Sequence, residues 1–512
     1  MTKEKKTTLR LFDPFTMPMG LATDSYKQSH PEAYPDADAA GAYIEARRGF
    51  QGDHSDQRLV VNGVRYFVER VLARRWNKGD VTDAAKLLET FCPGGTKHPF
   101  PEDLFRKFIA PKNEGGNDGY FPVRVRALRD GQAVLIRTPM LVFEADGEYA
   151  RLVTWLESLA LQSVWYMSSV ATLSRRVCDL IDDAFEKSVN PEMNFLRDSR
   201  LHDFGLRGCT NVEQSIMGGA AHLLSFDGSD TLSAVWYVRN WLGGKGVGSS
   251  IPATEHSLIM THENELAAVR KMIELYGHNL FATVADTYDY TAFLNEVLPS
   301  VAAEVRDKGG FHVVRPDSGD PVECVVEGLY ALERAYGSDT NSKGYRVIRG
   351  AGVIQGDGID HVILGRILEA VMAEGFSAQN VAFGMGGALL QKTDRDTLGF
   401  ACKISYRDVD GVEIPMMKDP KTDPKKRSQP GKLAVVKQDG VYRSLPHELL
   451  EEDEEDALEV VYDNGPCGYV FENFHAQRAR LSATWSELRC VKGEVGISPE
   501  MLRKMERVSN DH

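Results

Sequence analysis

The stretch QGDGID, residues 355–360, sets the carboxylate of Asp357 between Gly356 and Gly358 where an apolar run beginning at Val353 ends. Flanking glycines free the backbone for positive φ and let a ligand come close. The carboxylate can accept hydrogen bonds from sugar hydroxyls and would repel phosphate, so a ribose suits it; the competing expectation is a tight turn in which an aspartate caps the next helix. A second loop, FGMGGALLQKTDRD, places Gly384, Gly386 and Gly387 just before a helical segment, followed by Lys392 and Arg395. Free amides and a positive helix end there favour an anion, although the same glycines could serve close packing of helix on strand. Neither loop fits the GxxxxGK(S/T) pattern of a P-loop.

VVRPDSGDP puts Arg315 and Asp317 at another run's end, with Asp320 beyond. Arginine offers a planar fork for a diphosphate, and aspartate can bind ribose hydroxyls or help hold a magnesium ion already chelated by substrate phosphates. A simple PDSG turn is the alternative. DFGLRG carries an aromatic face, Phe204, and a cation, Arg207; SFDGSD ends in Asp230; SIPATEHS presents Glu255 and His256 together. A lone histidine is more often structural than catalytic, and His256 gains weight only from its company. One anion loop, one ribose-type aspartate, two arginines, an aromatic face and a histidine fit a phosphorylated sugar whose anomeric carbon reacts with a flat heterocycle.

The elements that must position these residues repeat one grammar between about Leu201 and Tyr406: a β-branched run, a loop rich in Gly, Asp or Ser, then a helical segment. LFATVADTYD, GFHVVRPDSGDP, YRVIRGAGVIQGDGID and NVAFGMGGALLQ all follow it. Such alternation predicts parallel strands covered by helices, with ligand over the carboxyl ends of the strands. The expected architecture is α/β: an irregular barrel over 191–406 and a discontinuous α+β domain from 1–190 and 407–512. The run from Leu152, LVTWLESLALQSVWYMSSVATL, reads as an amphipathic core helix through Leu152, Trp155, Leu156 and Leu159.

A net charge of -14 disfavours general nucleic-acid binding, and no apolar run reaches the ~18 to 20 residues of a membrane span. The start, MTKEKKTTLR, lacks a following apolar region, so a cytoplasmic location is expected. Seven scattered cysteines, Cys92, Cys178, Cys209, Cys324, Cys402, Cys467 and Cys490, without a CxxC pair, predict reduced and mostly buried thiols. The acidic run Glu451 to Asp456 reads as a solvated face.

TDSYKQSHPEAYP from Thr23, EARRG from Glu45, DFGLRG, FDGSDT, IPATEHS, VRPDSGDP, VIQGDGID, FGMGGALLQKTDRD and KDPKTDPKKRSQPGKL together resemble the nicotinamide phosphoribosyltransferases, in order along the chain. The resemblance implies a type II phosphoribosyltransferase: a barrel with an added discontinuous domain, working as a homodimer with active sites at the subunit interface. It implies transfer of phosphoribose from phosphoribosyl pyrophosphate to nicotinamide, with Mg2+ held mainly by substrate phosphates and ATP stimulating the reaction through a phosphohistidine at His256, beside Glu255. Phe204 and a partner's Tyr26 would sandwich the pyridine ring, and Asp230 would accept the carboxamide N–H. Arg207, His256 and Arg315 would face the pyrophosphate; Asp317, Gly356 and Asp357 the ribose; Gly386, Gly387 and Arg395 the 5'-phosphate. Asp24, Arg47, Lys403, Lys418, Lys426 and Arg427 match the remaining charged positions near the interface. Met385 stands where relatives usually carry a small hydroxyl residue, and Ser249 where they often have an aromatic. The rival readings are a nicotinate phosphoribosyltransferase and a catalytically silent barrel with a binding role. An aldolase or isomerase would want a strand-end lysine for a Schiff base, and the expected strand ends offer none convincingly.

Overall fold

The computed structural model describes residues 16–423, 426–488 and 493–511. The MTKEKKTTLR start, Cys490 and two residues of the basic stretch, Pro424 and Lys425, lie outside the described residues. Six strands form a parallel sheet in the order Gly228–Ser229, Leu201–Asp203, Val381–Met385, Ala351–Gln355, Phe311–Arg315, Leu280–Val284. Strands of this kind are buried on both faces and so read as near-continuous apolar runs. Their register keeps the carboxyl ends level: Phe383 pairs with Gln355 and Met385 with Asp203.

The sheet curls until its two edges meet the same piece of chain. Ser249 bridges Gly228 on one edge and Ala253 bridges Ala282 on the other, both in parallel sense. The Ser229 amide donates to the Ser249 carbonyl at 3.0 Å, the Ala282 amide to the Pro252 carbonyl at 2.9 Å, and the Val284 amide to Thr254 Oγ1 at 2.9 Å. Residues 249–254 therefore close an irregular barrel by backbone pairing. Ser249, read as a departure from its relatives, contributes its main chain to this seam. Small side chains fill the interior, with Ala282, Val313 and Ile354 packed beside Phe204, Ile251, Phe311 and Ala382.

Helices follow the strands as expected, and two of the longest are started by an aspartate. Asp320 Oδ1 accepts from the Val322 and Glu323 amides and caps Pro321–Tyr336; Asp360 Oδ1 accepts from Val362 and Ile363 and caps His361–Ala373. Such caps are worth about 1 kcal/mol each.

The remaining chain builds a six-stranded antiparallel sheet, ordered Val412–Pro415, Ala401–Val409, Ala39–Glu45, Leu141–Asp146, Arg124–Ala127, Glu459–Asp463. Ala401–Val409 runs across the 406–407 position proposed as a domain boundary, and it pairs along its length with Ala39–Glu45. Between barrel and sheet lies the 32-residue helix Glu157–Ser188, packed on Val212–His222 and His361–Ala373 and also on the Arg58–Val60 strand. It begins at Glu157, later than the amphipathic pattern suggested, because Gly147–Leu152 forms a 3-10 turn before it. Leu152, Trp155 and Leu156 are buried nonetheless.

No described helix is long and apolar enough to cross a membrane. The six described cysteines are free; Cys178, Cys324 and Cys402 are buried, Cys92 and Cys209 half-buried, and Cys467 exposed, fewer buried than expected. The acidic run is solvated except at its end. Asp456 pairs with Arg126 at 2.7 Å and accepts from the Val435 and Leu458 amides, anchoring the turn between two strands.

Candidate active site

The carboxyl ends of the barrel strands surround a cavity of about 640 Å3. Phe204, Arg207, Asp230, Glu255, His256, Arg315, Asp317, Gly356, Asp357, Gly386 and Gly387 all line it. Every barrel residue singled out in the sequence for chemistry on the bound sugar or ring, apart from Arg395, thus reaches one space.

Phe204 follows the Leu201–Asp203 strand, and its amide donates to the Met385 carbonyl at 3.1 Å. Its ring lies so close to the two glycine loops that an added Cβ at Gly384 would sit 2.0 Å from Phe204 Cε2, and one at Gly356 would sit 2.9 Å from the same atom. These glycines make room for an aromatic plane. Positive φ is required at Gly358 (φ 66) rather than at Gly356. Asp360 is the helix cap, which leaves Asp357 exposed, with no side-chain partner among the described residues. Arg207 and Lys392 likewise line the cavity without a protein partner among the described residues. Gly386 and Gly387 lead into a helix of only four residues, Gly387–Leu390, whose leading amides are free of the helix ladder and whose macrodipole is small. Met385 is fully buried in the core.

The charged groups interlock. His256 begins the His256–Met260 helix; its Nε2 lies 3.1 Å from Asp317 Oδ2 and its Nδ1 3.1 Å from Thr287 Oγ1. Arg315 Nε is 3.8 Å from Asp317 Oδ1. Asp230 is exposed and accepts from the Ser250 hydroxyl, and Glu255 accepts from the Ser257 hydroxyl. Asp203, buried below Phe204, accepts from the Gly205 amide at 2.7 Å and so shapes the loop that carries Phe204 and Arg207. Burial pushes its carboxyl up to about 6.

Eight expected residues do not line the cavity of their own chain: Asp24, Tyr26, Arg47, Arg395, Lys403, Lys418, Lys426 and Arg427. Asp24 accepts from Ser158 Oγ at 2.6 Å, Tyr26 is 54% exposed, and Arg47 Nε donates to the Gly399 carbonyl at 3.2 Å. Burial pushes the Lys403 ammonium down, and the nearby cations Arg47 and Lys418 act the same way. Lys426 pairs with Asp423 at 3.1 Å, Arg427 with Asp419 at 3.0 Å, and Arg395 with Asp396 at 3.5 Å. Most of these belong to a second basic region on the antiparallel-sheet unit. A buried carboxylate secures that region: Gln429 Nε2 donates to Glu45 Oε2 at 3.0 Å, and Arg137 lies 3.2 Å from the same oxygen.

Asp203, Thr231, Gln391, Asp286 and Thr287 escaped notice in the sequence. Asp203 and Thr287 sit beside residues already flagged, and their roles depend on folding partners distant in sequence.

Residues 199–465 match the nicotinate phosphoribosyltransferase family model, more than half of the chain, and residues 18–124 match the nicotinamide phosphoribosyltransferase N-terminal domain. A nicotinamide phosphoribosyltransferase of Xanthomonas campestris pv. campestris (strain 8004) is 39% identical over 481 residues, covering 90% of this chain and 98% of the relative. One of Acinetobacter baylyi is 29% identical, covering 87% and 93%. Among solved structures, human nicotinic acid phosphoribosyltransferase superposes with a TM-score of 0.62 at 17% identity, covering 95% of this chain and 99% of that one. The nicotinate-nucleotide pyrophosphorylase of Pyrococcus furiosus gives a TM-score of 0.60 at 18% identity, covering 94% and 98%, and so shares the fold. The chain belongs to the nicotinate phosphoribosyltransferase family, with the N-terminal domain of its nicotinamide phosphoribosyltransferases.

Proposed function

We propose that this chain joins nicotinamide to phosphoribosyl pyrophosphate, yielding nicotinamide mononucleotide and pyrophosphate for NAD salvage in the cytoplasm. The observation that carries the reading is a single cavity holding an aromatic face, Phe204, an exposed carboxylate, Asp230, and the cations Arg207, Arg315 and Lys392. Stacking on Phe204 orients the pyridine ring. Asp230 accepts from the carboxamide N–H and repels the carboxylate of nicotinate, a penalty aimed at the wrong substrate. Arg207 and Arg315 receive the pyrophosphate, Asp357 accepts from ribose hydroxyls, and the Gly386–Gly387 amides hold the 5'-phosphate.

As the bond from the anomeric carbon to pyrophosphate breaks, positive charge grows on that carbon and the pyridine nitrogen attacks from the other face. The nitrogen is already a free nucleophile, so the chain's contribution is placement and charge stabilisation. The hard oxygen donors of the cavity, Asp317 and Asp357, suit Mg2+ bound chiefly through substrate phosphates. Its chemistry would be neutralisation of the leaving pyrophosphate.

ATP stimulates transfer, in this reading, by phosphorylating His256, and the added negative charge organises the pyrophosphate and its magnesium. The eight charged or aromatic residues away from their own cavity serve the active site of a second copy in a homodimer, with Tyr26 closing the pyridine sandwich. Their common absence from the cavity wall supports that assignment. The test is mononucleotide formation by the purified protein with phosphoribosyl pyrophosphate and magnesium, nicotinamide against nicotinate, each with and without ATP. Nicotinate preference would overturn the specificity, and no product with either base would overturn the enzyme.

A further inference from the structure

Tyr26 rides on a single 3-10 turn, Ser25–Gln28, with Asp24 just before it. Such a turn has poor hydrogen-bond geometry of its own and needs outside support. The start of the long helix Glu157–Ser188 supplies it at both ends. Ser158 Oγ donates to Asp24 Oδ2 at 2.6 Å, and the Lys27 ammonium donates to Glu157 Oε2. Thr23 Oγ1 donates to the Trp155 carbonyl at 3.0 Å, and Gln28 Nε2 to the Gly20 carbonyl at 2.7 Å. Lys27 is 5% exposed, a burial lysine rarely adopts unpaired. Glu157 opens its helix, where free amides favour a negative charge. Tyr26 is left standing out, its ring centroid 5.3 Å from that of His30 and 5.6 Å from the Lys27 ammonium. Because the same long helix packs on Val212–His222 and His361–Ala373, the clamp fixes the turn to the barrel.

We propose that Lys27 is a positioning residue: its buried pair with Glu157 holds the Ser25–Gln28 turn so that Tyr26 stands clear of its own chain and meets the pyridine in the cavity of a second copy. This rests on the sandwich reading above. Lys27 does not line the cavity of its own chain. Methionine at this position keeps the unbranched apolar stem and removes the charge, and the helix end still supports the Glu157 carboxylate, so Lys27→Met should fold.

Two measurements on the full chain test this. Tyr26→Leu should raise the KM for nicotinamide about 2- to 12-fold, the worth of one aromatic stack, and Lys27→Met should raise it at least about twofold. The double variant should be no worse than Tyr26→Leu alone, since a turn without its ring has nothing to position. In hydrogen exchange, the Lys27 and Ser29 amides, which donate to the Asp24 and Tyr26 carbonyls at 3.0 and 3.2 Å, should exchange about tenfold faster in Lys27→Met, the worth of a bond to a charged group, with Val381–Met385 as in wild type. Unchanged exchange in the turn, acceleration throughout the protein, a wild-type KM in Lys27→Met, or a double variant in which the two effects multiply overturns the role. A wild-type KM in Tyr26→Leu would sink the sandwich reading instead, and the exchange would still decide whether Lys27 holds the turn.

Discussion

Replacing Gly384 by alanine tests the link between a backbone position and substrate affinity. The new Cβ would lie 2.0 Å from Phe204 Cε2 and 2.1 Å from Cδ2, whereas carbon atoms rest about 3.5–4.0 Å apart. The ring must therefore move by about 1.5 Å. Gly384 is buried within a central strand, so the backbone has little room to yield. Phe204 is half-buried and lines the cavity, so the ring is what moves, into the space proposed for the pyridine. Overpacking of this kind costs ~1–3 kcal/mol of stability, which a domain of this size tolerates. Lost stacking is worth about 0.5–1.5 kcal/mol, a rise of about 2- to 12-fold in the KM for nicotinamide. The KM for phosphoribosyl pyrophosphate should hold. Initial rates with each substrate varied, together with urea unfolding, give both numbers. In a Phe204→Leu background the alanine should cost less, a coupling that a double-mutant cycle reads directly. Unchanged affinity and unchanged stability would refute the claim that the missing side chain at 384 seats the ring.

Asp230→Asn removes the charge proposed to reject a carboxylate, so the ratio of kcat/KM for nicotinamide over nicotinate should fall at least tenfold, with the phosphoribosyl pyrophosphate KM little altered; competition between the two bases measures it, and an unchanged ratio rejects the role of Asp230. His256→Ala should abolish ATP stimulation and leave a weaker basal transfer, and full stimulation of that variant would remove the phosphohistidine. His312 is fully buried between Thr283 Oγ1 at 2.7 Å and the Tyr336 hydroxyl at 3.0 Å, and burial pushes it down to about 3. The folded state then binds fewer protons than the unfolded chain, so this contribution is complete above the unfolded pKa near 6.5 and is lost as pH falls from there toward 3. His312→Gln should be less stable than wild type at pH 7, with the gap closing by about 2 kcal/mol at pH 5; a gap independent of pH, by urea unfolding, refutes it.

The barrel strands were legible because parallel strands leave continuous apolar runs, and the mouth residues because charge and glycine at such ends have few structural uses. Asp357 and Asp360 were harder to separate: both follow a glycine loop, and only the hydrogen bonds of Val362 and Ile363 tell cap from free carboxylate. Gly356 read as a source of backbone freedom and Gly384 as part of an anion loop, yet the constraint on both is the Phe204 ring, which lies well over a hundred residues earlier in the chain. The strand Ala401–Val409 follows directly on the barrel's last glycine loop and its short helix, so the repeated pattern ran on through it; its partner, Ala39–Glu45, is set by tertiary pairing. The closing segment 249–254 gave no strand signal because its pairing is through single main-chain bridges.

That same pairing of Ala39–Glu45 with Ala401–Val409 governs the order in which a growing chain can complete itself. Leu141–Asp146 can join the first strand early in synthesis, but the other edge has no partner until the segment at 401–409 has left the ribosome. From Ala40 to Glu45 every residue of that strand is buried in the finished protein. For most of translation it therefore presents an unpaired edge of the sort that recruits foreign strands, while all six barrel strands emerge before its partner does. Nascent chains stalled before residue 401 should thus need chaperone cover that the released protein does not.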